Sequence, residues 1–139
     1  MTEDNRKRAI AQDLRQCELA MKAARLLKDA GLYNDALSRL YYALHHATLA
    51  LLLTESIEPR RHRAVSSLLS THFLSPGKLT AEDIAVVGRT QSYRDLADYN
   101  RAWNATLAIA DEAFAAAEPL ITRIRELLES GGWLEPASG

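Results

Sequence analysis

Apolar residues recur at three- and four-residue steps along most of this chain, and the steps break where glycine or proline intervenes. Ile10, Leu14, Cys17, Met21, Ala24 and Leu27 form one stripe, which predicts a first helix over about 4–30 with Gly31 as its C-terminal cap. Asn34 is placed to cap a second helix from Asp35 to about Thr54. A loop with Pro59 follows, then a shorter helix from His62 to Leu74 and a Ser75-Pro76-Gly77 turn. Thr80 with Asp83 three residues on has the form of a capping box, opening a helix that runs to about Tyr99. Ile109, Ala113, Ala116, Leu120, Ile124 and Leu127 mark a last helix over about 103–130, which Pro119 should kink or divide and Gly131-Gly132 should end. No alternating apolar and polar run of strand type interrupts this series. The pattern predicts an all-α fold, an up-and-down antiparallel bundle of about five helices, as one domain over 1–130 with a flexible tail over 131–139.

Composition narrows the picture only slightly. With 47% apolar and 25% charged residues in 139, the chain has the balance of a globular domain able to bury its own core. A net charge of -1 argues against a basic nucleic-acid coat but leaves room for a local basic site. Cys17 stands alone, so no internal disulfide can form. The charged start MTEDNRKRAI has no leader character, and the apolar run Ala47–Leu53 is too short for a bilayer span. A cytoplasmic location is the expectation.

The candidate chemistry begins on the second helix, in RLYYALHHATLALLL. At about 100° per residue, Asp35, Arg39, Tyr42 and His46 fall within roughly 60° of one another, while His45 turns well away. This polar stripe on an otherwise apolar helix has two explanations. It lines a cleft, where arginine offers a fork for phosphate and histidine moves protons near neutral pH. Alternatively, Arg39 pairs with a carboxylate and the rings are satisfied core residues. In TQSYRDLADYNR a second stripe holds Gln91, Arg94, Asp98 and Arg101, provided the helix persists that far. Asp98 can pair with Arg94 on its own helix or reach across to Arg39, making one polar seam inside the bundle. Arg60-Arg61-His62-Arg63 adds a basic cluster at the start of the short helix, and His72 reads as a partly buried structural residue. Histidine and cysteine spacings suit no zinc site, and no glycine-rich phosphate loop or nucleophile motif is present, so neither metal nor cofactor is expected.

The segments DALSRLYYALHHATLALL, EPRRHRAVSSLLSTHFLSPGKL and RDLADY together resemble the HEPN superfamily, in particular its small single-domain branch in bacteria and archaea. The likeness covers roughly residues 8–128 and rests on Ala36–Ala43, His62–Val65 and Arg94–Tyr99. It implies a helical bundle, usually a homodimer, often paired with a small nucleotidyltransferase in toxin-antitoxin or defence systems. Many such proteins are metal-independent ribonucleases with an arginine followed four to six residues later by a histidine; others bind nucleotides or support a partner. Here Asp98 and Tyr99 follow Arg94 where that histidine would stand. Arg39 with His46 is the alternative pair on the second helix. The resemblance therefore implies first a nucleotide- or RNA-binding module with Arg39, Tyr42, His46, His62, Arg94, Asp98 and Tyr99 as ligand-binding residues. A ribonuclease using Arg39 and His46 is one rival, and a purely structural assembly module is the other. Tyr41, Tyr42 and Tyr99 are phenols that a partner could modify.

Overall fold

In the computed structural model, which describes residues 1–134, five helices follow one another with no strand among the described residues. They are α1 (Glu3–Asp29), α2 (Tyr33–Leu53), α3 (Ala64–Leu69), α4 (Ala81–Tyr99) and α5 (Leu107–Ser130). Long-range pairs fix the directions. Arg6 at the start of α1 donates to the carbonyls of Leu53 and Thr54 at the end of α2, and Ser38 meets Asp98 while Tyr42 meets Arg94. Asp83 at the start of α4 pairs with Arg123 late in α5. Arg6 with Thr54, Ser38 with Asp98 and Asp83 with Arg123 each join the early part of one helix to the late part of its neighbour, so α1 and α2, α2 and α4, and α4 and α5 run antiparallel.

α2 is the central element and packs against each of the other four helices. Its buried residues, among them Leu37, Leu40, Tyr41, Leu44, Thr48 and Leu52, occupy more than one face, which explains why it is apolar nearly all round. α1 buries the predicted stripe Ile10, Leu14, Cys17, Met21 and Ala24. α5 buries Ala110, Ala113, Phe114, Ala117, Leu120, Ile124 and Leu128. Helix ends follow local chemistry. Thr2 accepts the Asn5 amide, and Gly31, at φ 78°, allows the amides of Gly31 and Leu32 to close on Lys28 and Leu27. The capping box forms as the sequence indicates: Thr80 Oγ1 accepts from the Asp83 amide at 3.0 Å and Asp83 Oδ2 from the Thr80 amide at 2.9 Å.

Four expectations need correction. Asn34 does not cap α2, whose N-cap is Leu32 without a side-chain bond. Its amide instead reaches the α4–α5 connection, donating to the Trp103 carbonyl at 3.2 Å and accepting from the Ala105 amide at 2.8 Å. That tether holds residues 103–105 out of helix, so α5 begins at Leu107 behind a Thr106 cap rather than at Trp103. The third helix is shorter than predicted: Arg61 and His62 form a turn before Ala64, and Ser70–Leu74 widen into a single π-helical turn. Of the two effects expected of Pro119, division of α5 does not occur. Pro119 and Ala115, whose carbonyl loses its amide partner, are both exposed, so water can satisfy that group. Of the predicted tail, residues 135–139 lie outside the described residues, while Trp133 and Leu134 pack on the core and Trp133 sits under the Arg6 guanidinium.

The Asn34 tether makes a clear prediction. Asn34→Ala should cost about 1–3 kcal/mol in urea unfolding, and faster hydrogen exchange should appear first at the Ala105 amide. Loss of protection in the first turn of α2 instead would mean that Asn34 acts as its cap after all.

Candidate functional site: a basic cleft beside α4

Arg94 lies where α4 crosses α2, with its side chain only 15% exposed. Nη2 donates to the Tyr42 hydroxyl at 3.1 Å and Nη1 to Asp95 Oδ1 at 3.2 Å. Asp98 Oδ2 is 3.1 Å from Nε but off the N–H direction, so Nε gains an ion pair without a hydrogen bond. Asp98 also accepts from Ser38 Oγ at 3.2 Å. Three phenol rings surround the guanidinium, with Tyr41, Tyr42 and Tyr99 centroids 5.3, 5.7 and 5.2 Å from Cζ. Burial works against the charge, but the hydrogen bonds to Tyr42 and Asp95 outweigh it and hold the pKa of Arg94 above its ordinary range. The charge is permanent and its direction is fixed.

A second cluster docks the basic turn onto α2. The Tyr41 hydroxyl and His62 Nδ1 share a hydrogen bond of 2.7 Å, the His45 ring lies 4.3 Å from that of His62, and Tyr41 and His45 stack at 5.4 Å. Burial, offset in part by Arg94, pushes the Tyr41 phenol up to about 12, so it stays protonated. Burial, reinforced by His62, His46 and Arg94, pushes His45 down to about 4, so it is neutral at physiological pH. These contacts bring Arg61, His62 and Arg63 beside Gln91, Arg94, Asp95 and Tyr99 around an open cleft of about 590 Å³.

The predicted seam is thus two sites back to back. His62, Arg94 and Tyr99 line the basic cleft, with Tyr42 and Asp98 bracing Arg94 from behind. Arg39 and His46 line a separate groove of about 230 Å³ between α1 and α2, which Tyr42 also borders. Arg39 is exposed and its guanidinium lies 5.3 Å from the Tyr42 ring, while Asp98 turns to Arg94 and Ser38 rather than to Arg39. His46 Nδ1 is 3.1 Å from Asp13 Oδ1; burial pushes the Asp13 carboxyl up, opposed by this hydrogen bond from His46. Asp35 is exposed, and Arg101 falls outside the cluster because α4 ends at Tyr99.

Sequence reasoning left Tyr41 and His45 out of the polar seam, turning His45 well away from it. It took Arg39 as the centre of the polar face, whereas α4 packs over the side of α2 that carries Tyr41 and Ser38. The four-residue spacing of Tyr41 and His45, an aromatic pair on one helix face, was the available signal. Asp13 was also missed, and the one local signal for it was a carboxylate set inside the apolar stripe of α1. Among the described residues no three His, Cys, Asp or Glu side chains cluster as metal ligands would, and no helix is long and apolar enough to cross a membrane.

His45 gives a pH test with a definite sign. As pH falls below 6.5 the unfolded chain takes up a proton at this residue, while the folded protein resists until about 4. The unfolded state therefore binds more protons in that window and stability declines across it, by about 1–2 kcal/mol once partial exposure is allowed for. His45→Phe should remove that part of the decline in unfolding measured from pH 7 to 4. An unchanged pH profile in the variant would contradict the burial of a neutral His45.

Comparison with known proteins matches this architecture. The model of the HEPN domain family matches residues 11–127. Two proteins of Methanocaldococcus jannaschii, each named "Putative toxin", are 30% identical to this chain. One alignment covers 76% of this chain and 69% of the relative, the other 78% and 81%. A protein of Gloeobacter violaceus is 33% identical over 66% of this chain and 73% of its own length. With a family match over most of its length and an all-helical bundle to carry it, this chain belongs to the HEPN domain family.

Proposed function

We propose that this chain is a toxin-like HEPN protein whose working surface is the cleft around Arg94, and that this cleft holds the phosphate of a nucleotide or of RNA. The observation that carries this is the convergence of three guanidinium groups and an imidazole, from the 61–63 turn and from α4, on one open cleft. Asp95 also lines the cleft and, with Asp98, offsets the charge of Arg94, which leaves Arg61 and Arg63 as the surplus positive charge that an anion would meet there. Guanidinium groups also match phosphate oxygens in pairs. Arg94 is already held by Tyr42 and Asp95, so little freedom is left for it to lose on binding. The names of the archaeal relatives support the toxin-like role. A homodimer and a companion nucleotidyltransferase belong to the same proposal. The family resemblance suggests both, and the exposed Leu19, Leu26 and Leu32 along α1 and its turn offer an apolar face for assembly.

One observation favours a second reading, cleavage of RNA in the α1–α2 groove. Asp13 orients His46 in the groove that Arg39 lines, which is how a carboxylate fixes an imidazole for proton transfer. In that reaction the ribose 2'-hydroxyl attacks the adjacent phosphorus, its proton passes to His46, and the 5'-oxygen leaves and is protonated from water. RNA cleavage that survives a chelator and disappears in His46→Ala would favour this reading over simple binding.

The proposal is tested by the salt dependence of binding to a labelled single-stranded RNA. Replacing Arg61 and Arg63 together by Ala should weaken binding and flatten the log–log salt slope by about 1.4, roughly 0.7 for each lost phosphate contact. The double variant of Arg39→Ala and His46→Ala should bind as the parent does. The reverse pattern would assign the phosphate to the α1–α2 groove.

A further inference from the structure

Tyr99, the last residue of α4, is 71% exposed, and no other phenylalanine, tyrosine or tryptophan among the described residues is exposed. The ring is not loose on the surface. The Arg94 guanidinium lies 5.2 Å from its centroid and steadies it, and the ring forms one wall of the basic cleft. Gln91, Asp95 and Tyr99 follow at four-residue steps, so this wall runs roughly 12 Å along α4 at about 1.5 Å per residue.

Each simpler occupant leaves part of the cleft unused. A bare polyphosphate would engage the three arginines but leave an exposed aromatic ring in water. An apolar side chain from a protein would cover the ring but bring no anion to Arg61, Arg63 and Arg94. Double-stranded RNA would offer phosphates, but its paired and stacked bases present no free face to a side chain. A nucleotide with an unpaired base meets both requirements, because every base has a flat face and a phosphate close by.

We infer that Tyr99 is a nucleobase-stacking subsite, with Arg94 beneath the ring and the base on its open face. The ligand class is then a nucleotide whose base is unpaired, either free or within a single strand. The inference rests on the cleft being the phosphate site, and its test keeps the two separable. Tyr99 is exposed and ends its helix, so its replacement leaves the core intact, which circular dichroism would check.

The experiment titrates the parent, Tyr99→Ala and Tyr99→Phe with four probes: a single-stranded oligoadenylate, the same strand annealed to its complement, adenosine monophosphate and inorganic triphosphate. Tyr99→Ala should weaken the single strand about tenfold, within the range that stacking contributes per base, while Tyr99→Phe stays within about twofold. Triphosphate and duplex affinities should not respond to either change. If adenosine monophosphate shows the same Tyr99 dependence, a free nucleotide suffices as ligand; if only the strand does, the site reads RNA. Unchanged single-strand binding in Tyr99→Ala, with loss on removing Arg61 and Arg63, would overturn the stacking subsite and leave the phosphate site standing. Loss of triphosphate binding in Tyr99→Ala would also overturn it, since the ring would then act only by positioning Arg94. Absence of binding by the parent to every probe would overturn both.

Discussion

A guanidinium built into the wall between α2 and α4 sets the terms for the rest of this structure. Taking the charge of Arg94 out of water costs several kcal/mol unless its donors and field are matched, so its surroundings are constrained. The Tyr42 hydroxyl, Asp95 and Asp98 supply acceptors and countercharge, and three tyrosine rings supply the remaining contact. Meeting those demands fixes the register of α4 on α2, since Tyr42 must face Arg94 while Ser38 faces Asp98. It also places a permanent positive charge at the edge of a cleft. Helix registry and anion attraction are thus consequences of the same group.

α2 works on two sides, and this explains its mixed composition. Toward α4 and the 61–63 turn it presents Ser38, Tyr41, Tyr42 and His45; toward α1 it presents Arg39 and His46, with Tyr42 at the boundary. The side facing the turn has a mechanical role. The Tyr41–His62 hydrogen bond and the tilted His45–His62 ring contact hold the turn against the bundle, keeping Arg61 and Arg63 at the cleft.

The bundle itself was readable from periodicity, because helices packed on several neighbours show their buried stripes directly. The capping box at Thr80–Asp83 was also readable, being a contact within four residues. Asn34 shows where such reasoning stops. Its type and place suit a cap, but a partner distant in sequence, the 103–105 connection, takes its amide. The same limit governed the site. The separate stripes on α2 and α4 were visible, and Arg39, Tyr42 and His46 do share a groove, yet which side of α2 would meet α4 depends on tertiary packing, so the reach of Asp98 across to Arg39 does not occur and Tyr41 and His45 were passed over. The basic turn at 60–63 was visible as charge, and only the fold joins it to Arg94.

The proposed anion-binding surface lies at Arg94 and the 61–63 turn, not in the groove of Arg39 and His46. Titrating adenosine monophosphate into isotope-labelled protein and following backbone and arginine side-chain resonances would test it most directly. Shifts are expected to concentrate at residues 61–63 and 91–99, with Arg94 Nε among the most affected. Shifts confined to Gln16, Ala20, Ala23, Arg39 and His46 would contradict it.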